Sequence, residues 1–115
     1  MYEDKGRTQG YRAGRLEVRP DEHAALVDGR PLSLTLRELQ LLTELASNAE
    51  RIMSREELYG AVWGRPPRLS DRSLDVYVSR LRRKLLAADP TGAVRDLIVA
   101  EPGVGYRVRS VDGAS

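Results

Sequence analysis

Residues 69–85, with the sequence LSDRSLDVYVSRLRRKL, combine clustered cationic side chains with regularly spaced aliphatic ones. Guanidinium groups can bind phosphate oxygens and guanine edges, and hydroxyl groups can bind phosphates or bases. Between residues 65 and 84 there are seven cations and two anions, a net charge of +5, whereas the whole chain carries +2. The positive charge is therefore local, and the rest of the chain is net acidic.

A helix over residues 70–86 would separate these side chains onto two faces, because each residue turns the helix by about 100°. One narrow face would hold the aliphatic residues Leu74, Val78, Leu81 and Leu85. The opposite face would hold Arg72, Val76, Ser79, Arg80 and Arg83, flanked by Ser73, Tyr77 and Lys84 on one side and Asp75 and Arg82 on the other. This pattern predicts a core-facing side and an exposed cationic side.

Two interpretations of the cationic side are open. A solvated helix surface normally alternates acids and bases, which stabilise each other at a spacing of four residues. Here no acid follows Asp75 within the helix, so the four cations of its last turns repel one another. A polyanionic partner would remove that repulsion, and Val76 could then contact a thymine methyl group. Arginine is preferred over lysine throughout the chain, so that preference alone is weak support.

Other chemistries are not indicated. The chain has no cysteine and a single histidine, His23, which argues against a zinc site and against a Ser-His-Asp triad. A phosphate-binding loop must be followed by a helix, and no helix is predicted after the glycine-containing segment 103–105. We therefore predict a turn there. We expect no enzyme activity and no cofactor.

The rest of the chain supplies elements that could position the helix. Residues 15–18, 24–27 and 31–34 are predicted as strands, the last two joined at Asp28-Gly29. Capping boxes at Thr35–Glu38 and Ser54–Glu57 predict helices over 35–48 and 54–63, the second with Leu58, Ala61 and Val62 inward. Gly64 and the loop 65–70 follow, and Ser70 or Asp71 caps the third helix. Residues 51–54 could form a short strand, and 96–101 with 106–109 a terminal hairpin.

At 115 residues, 41% hydrophobic and 31% charged, the sequence predicts one folded domain over 14–110. Residues 1–13 are predicted as a flexible linker and 111–115 as a tail. No run of about 18 apolar residues is present, so we expect no membrane partner and a cytoplasmic location.

Four segments in order carry a family resemblance: LTLRELQLLTELASN, SREELYGAVWG, DRSLDVYVSRLRRKL and PGVGYRV. Together they resemble the OmpR/PhoB-type winged helix-turn-helix, the DNA-binding effector domain of bacterial two-component response regulators. The resemblance covers residues 15–109. It implies an α+β fold with a four-stranded N-terminal antiparallel sheet, three helices and a C-terminal β-hairpin wing. The third helix would enter the major groove of double-stranded DNA.

The resemblance also implies residue roles. Arg72, Ser73, Val76, Tyr77, Ser79 and Arg80 align with groove-facing residues, and Arg82 and Tyr106 with phosphate contacts. Trp63 aligns with a tryptophan that touches the DNA backbone, although a core role for its ring is equally open. We add Arg83 from the exposed face and Arg68 from the loop as DNA contacts.

The wing departs from the family pattern. Many relatives have TVRGxGYR where this chain has AEPGVGYR, so Pro102 replaces an arginine that often enters the minor groove. Glu101 would repel phosphate, and a wing contact would fall to Arg107 or Arg109. Ser79 also replaces a common arginine.

These features predict sequence-specific binding of double-stranded DNA by a transcriptional regulator. The family resemblance further implies a head-to-tail dimer on tandem repeats, as relatives form. The loop 64–70 can contact RNA polymerase in relatives, and a phosphorylatable receiver domain usually precedes the module. The alternative is a winged helix that binds an acidic protein, such as a polymerase subunit.

Overall fold

The computed structural model describes residues 10–109. It begins with a four-stranded antiparallel sheet in chain order: β1 (Tyr11–Ala13), β2 (Leu16–Arg19), β3 (Ala24–Val27) and β4 (Arg30–Pro31). Alternate residues of the central strands point into the core, and Leu16 pairs with Val27 while Val18 pairs with Ala25. The sheet that the family resemblance implied is confirmed.

The sheet differs from the sequence prediction at both edges. Tyr11–Ala13 were predicted in the linker, but they pair with β2 and bury Ala13 in the core. The rest of the predicted linker and the tail lie outside the described residues. The strand predicted over 31–34 stops at Pro31, and only the Leu32 N–H still donates to the neighbouring strand, to the Ala25 carbonyl at 2.8 Å. The chain then turns toward the first helix, with Leu32 and Leu34 packed against the core.

Three helices follow: α1 (Leu36–Ser47), α2 (Arg55–Trp63) and α3 (Ser73–Ala88). Both predicted capping boxes are present. Thr35 Oγ1 accepts a hydrogen bond from the Glu38 N–H while Glu38 Oε1 accepts one from the Thr35 N–H, and Ser54 and Glu57 repeat the arrangement. Gly64 ends α2 with a φ of 72°, which favours glycine.

The inward face of α2 was predicted only in part. Leu58 and Val62 are buried, as predicted, but Ala61 is exposed and that prediction was wrong. Tyr59 is completely buried instead, because it lies three residues before Val62 and shares its face.

A second sheet closes the fold. Strands β6 (Ile98–Glu101) and β7 (Gly105–Val108) form the predicted hairpin, and β5 (Met53–Ser54) pairs with β7, so the order is β5-β7-β6. Residues 95–97 form a short 3₁₀ turn where the sequence predicted the start of the strand. Among residues 10–109, no helix has both the length and the apolar character needed to cross a membrane.

The end of α3 depends on a buried carboxylate. Asp89 is 1% exposed, and its oxygens accept hydrogen bonds from Thr91 Oγ1 at 2.8 Å and the Val94 N–H at 3.1 Å. Arg15 Nη1 lies 3.0 Å from the same carboxylate. The hydrogen bond from Thr91, with the help of the other two groups, holds the pKa of Asp89 below its ordinary value although desolvation opposes this.

This lowered pKa predicts acid sensitivity. A carboxylate with a depressed folded-state pKa stabilises the fold above the unfolded-state pKa, near 4, and that contribution is lost as the pH falls below it. We expect Asp89→Asn to be less stable than wild type at about pH 7, and to lose less stability between about pH 7 and pH 3. Urea unfolding at both pH values measures this, and equal pH dependence of the two proteins would contradict it.

Candidate nucleic-acid interface

Helix α3 has the two faces that its sequence predicts. Leu74, Val78, Leu81 and Leu85 are at most 2% exposed and pack in the core. The opposite face consists of the exposed helix residues Val76, Ser79, Arg80 and Arg83, with the exposed N-cap residue Arg72 beside them, because the helix begins at Ser73 and not at residue 70 as predicted. With Asp75 and Tyr106, these residues line an open depression between α3 and the hairpin. The predicted separation of aliphatic and cationic sides is confirmed.

The cations on this face lack acidic partners. Several arginines elsewhere in the fold pair with nearby carboxylates, as Arg19 does with Glu17 and Arg51 with Glu57. No carboxylate oxygen of residues 10–109 lies within 4.0 Å of the guanidinium groups of Arg72, Arg80, Arg82 or Arg83. Within residues 10–109 the guanidinium groups of this face are therefore not held in ion pairs, and their positive charge attracts a polyanion.

Lys84 is the exception among the cations of the helix. Its Nζ donates to Glu38 Oε1 at 2.7 Å and to the Ser33 carbonyl at 2.8 Å. Burial alone would raise the pKa of Glu38, but the hydrogen bonds from Lys84 and the Thr35 N–H outweigh it and the pKa is lowered. Lys84 therefore compensates a buried capping residue.

The start of α3 is fixed by Asp71. Its Oδ1 accepts from the Ser73 N–H at 2.9 Å and from the Tyr59 hydroxyl at 3.0 Å, while its Oδ2 accepts from Arg65 at 2.9 Å. The hydrogen bond from the Ser73 N–H is the main reason that the pKa of Asp71 lies well below its usual range. The Tyr59 oxygen in turn accepts from the Leu74 N–H. Ser70 or Asp71 was predicted as the cap of this helix, but the N-cap is Arg72, which makes no side-chain cap hydrogen bond. Asp71 instead binds the Ser73 N–H from the residue before the N-cap, and Tyr59 joins it to α2.

The middle of α3 is held by Asp75. Its carboxylate accepts two hydrogen bonds from Arg55 of α2, at 2.9 and 3.2 Å, and one from the Tyr106 hydroxyl of β7 at 2.6 Å. Burial and the Asp75 hydrogen bond raise the pKa of Tyr106 to about 12, so the phenol keeps its proton near neutral pH. Asp75 thereby fixes both the second helix and the hairpin relative to α3. Sequence analysis placed Asp75 only on the flank of the helix and did not identify Arg55.

Aromatic contacts connect the three helices. The Trp63 ring lies 5.1 Å from the Tyr59 ring and meets the Tyr77 ring edge-on at 5.5 Å. The guanidinium carbon of Arg80 lies 4.9 Å from the centre of the Tyr77 ring, and that of Arg37 lies 5.3 Å from the centre of the Trp63 ring. Trp63 is half-buried, so its ring can both pack against the core and contact the DNA backbone, the two roles considered for it.

The other predicted contacts occupy different environments. Arg82 is half-buried and its Nε is enclosed without a hydrogen-bond partner among the described residues. Arg68 is exposed in the loop after α2, where Leu69 is 99% exposed. Arg107 donates to Glu101 at 2.8 Å and lies 3.6 Å from Glu50, so its charge is compensated within the hairpin region.

Comparison of the sequence with known proteins identifies a matching family and similar relatives. A family model described as "Transcriptional regulatory protein, C terminal" matches residues 29–108. The chain is 35% identical over 107 residues to the sensory transduction protein RegX3 of Mycolicibacterium smegmatis, covering 92% of this chain and 46% of RegX3. It is 35% identical over 92 residues to the phosphate regulon transcriptional regulatory protein PhoB of Escherichia coli K12, covering 80% and 38%. The chain thus spans less than half of these relatives.

Solved structures show the same architecture. The DNA-binding domain of CpxR from E. coli superposes with a TM-score of 0.77 at 30% identity, covering 90% of this chain and 98% of that one. The DNA-binding domain of RstA from Klebsiella pneumoniae, solved in complex with the RstA box, gives a TM-score of 0.76 at 31% identity, covering 89% and 98%.

Proposed function

The chain belongs to the OmpR/PhoB-type family of transcriptional regulators as the C-terminal winged-helix domain, and from this premise we propose that α3 binds the major groove of double-stranded DNA. The observation that carries the proposal is the exposed face of α3, whose guanidinium groups lack acidic partners among the described residues. The RstA domain was solved on its DNA box, which supports the same type of ligand here.

Base contacts are assigned to the groove-facing residues Arg72, Ser73, Val76, Tyr77, Ser79 and Arg80. Arg80 is the strongest candidate for guanine, because its stacking on Tyr77 holds a planar group that can donate two parallel hydrogen bonds. Val76, 44% exposed, presents methyl groups that suit a thymine methyl. The shorter Ser79, in place of the arginine common in relatives, changes which base is contacted.

Phosphate contacts are assigned to Arg82, Arg83, Arg68 and Trp63. Tyr106 is a weaker candidate, since its single proton is donated to Asp75 and phosphate oxygens only accept hydrogen bonds. To bind phosphate, Arg107 would have to give up its ion pairs with Glu101 and Glu50. Both observations favour a wing that positions α3 more than it binds the minor groove.

We also propose two protein partners, RNA polymerase and a second copy of this domain. The loop 64–70 exposes Leu69 next to Arg68, and we assign it to a contact with RNA polymerase. Tandem sites would be bound by a head-to-tail pair of domains. The role is one of binding and not of catalysis, and it implies a cytoplasmic location, where bacterial DNA is found.

Salt dependence of DNA binding tests the proposal. If roughly 5 phosphates are contacted, log K falls with log salt with a slope of about −4 to −5. Fluorescence anisotropy with a random-sequence 20-base-pair duplex measures it. Absence of salt-dependent binding at about 50 mM salt would contradict the proposal and favour a winged helix that binds an acidic protein.

A further inference from the structure

Arg37, in the first turn of α1, is a cation that the groove-facing set does not include. Its guanidinium carbon lies 5.3 Å from the centre of the Trp63 ring. No carboxylate oxygen of the described residues lies within 4.0 Å of it, because the adjacent Glu38 is buried and bonded to Thr35 and Lys84. Arg37 therefore shares the lack of a carboxylate partner with the exposed cations of α3.

The aromatic rings link Arg37 to the groove-facing residues through a chain of contacts. Trp63 meets Tyr77 at 5.5 Å, and Tyr77 carries Arg80 at 4.9 Å. Three successive contacts of about 5 Å thus connect a guanidinium group on α1 to one on α3. Arg37, Trp63, Tyr77 and Arg80 are referred to below as the aromatic-cation chain.

The dimensions of DNA indicate which part of the duplex Arg37, at the end of the aromatic-cation chain on α1, would contact. The major groove is about 12 Å wide, and an α-helix with its side chains has nearly that diameter. With α3 in the groove, Arg80 lies near the base edges. Arg37 is on α1, outside the groove helix and three contacts away from Arg80, so we expect it nearer the sugar–phosphate backbone that borders the groove. Stacking leaves the N–H groups at the edge of a guanidinium free to bind phosphate.

We propose that Arg37 is a phosphate contact at the border of the major groove, with its guanidinium group held over the Trp63 ring. The proposal rests on the proposed function, and it extends the DNA-binding surface from α3 to the first turn of α1. The contact is to the DNA backbone, so it adds affinity for every sequence alike.

The test measures DNA affinity of the 115-residue chain against salt, with a random-sequence 20-base-pair duplex as the probe. For Arg37→Ala we expect the slope of log K against log salt to become less steep by about 0.9, the contribution of one phosphate. The advantage of wild type over the variant should then shrink roughly 3.5-fold between 50 and 200 mM salt. Arg37→Lys should restore the slope, because lysine keeps the charge.

Arg30→Ala is the matched control. Arg30 is exposed in β4 and likewise has no carboxylate of the described residues within 4.0 Å, so the change in net charge is identical. We expect it to keep the wild-type slope. A purely structural role of Arg37 would weaken binding by the same factor at every salt concentration.

The outcomes separate the two proposals. An Arg37→Ala slope equal to that of wild type and of Arg30→Ala overturns the Arg37 contact alone. Absence of salt-dependent DNA binding by wild type overturns the proposed function, and the Arg37 contact with it.

Discussion

Alanine at position 105 is expected to lower the free energy of unfolding by about 3 kcal/mol or more, the largest effect of any substitution considered for this domain. A β-carbon on Gly105 would lie 1.9 Å from the Met53 carbonyl oxygen and 2.9 Å from its carbonyl carbon. Both are backbone atoms, so relief of the clash requires β5 to separate from β7. Urea unfolding followed by circular dichroism measures the change.

Gly60→Ala provides the matched control. Gly60 lies inside α2, and a β-carbon there would meet no atom within 4 Å among the described residues, apart from those of its own stretch of helix. The same chemical change should therefore stabilise the domain by about 0.5–1 kcal/mol, because alanine is the better helix former. If Gly105→Ala stays within roughly 1 kcal/mol of wild type, the pairing of β5 with β7 is not as close as described.

Arg80→Ala should lose discrimination at one base position, by about 1–3 kcal/mol, since a bidentate contact to guanine is removed. The loss should appear as similar affinities for a selected duplex and for its variant at that position. The measurement is competition anisotropy with duplexes that differ from a selected site at one base pair each. An unchanged preferred sequence and an unchanged affinity would show that α3 does not recognise the bases.

Arg82→Ala is the companion variant. Arg82 is on the flank of α3, and we assign it to phosphate, so its removal should weaken binding to all duplexes by a similar factor and leave the preferred sequence unchanged. Contrasting results for Arg80 and Arg82 would separate base contacts from backbone contacts on the same helix.

The features that sequence analysis predicted correctly depend on local spacing. The capping boxes at Thr35 and Ser54 join residues three apart, and the buried stripe of α3 repeats every three or four residues. Such patterns are set by helix geometry, so they can be inferred without the fold. The division of α3 into a core face and a cationic face followed from the same spacing.

The features that were missed depend on distant parts of the chain. Asp75 binds Arg55, twenty residues before it, and Tyr106, thirty-one residues after it, and no local pattern joins these three. Lys84 was placed on the flank of the cationic face, but its Nζ binds Glu38 across the fold. Tyr11–Ala13 appeared polar and flexible, and they become a strand because β2 offers an edge to pair with.

NMR titration of the isotope-labelled chain with a selected duplex tests the central claim most directly, since it locates the bound surface residue by residue. The largest changes in amide chemical shift are expected along the exposed face of α3, at Arg72, Val76, Ser79, Arg80 and Arg83, with smaller changes at Arg37 and Trp63. Changes confined to the N-terminal sheet, with the α3 amides unaffected at saturation, would contradict the account.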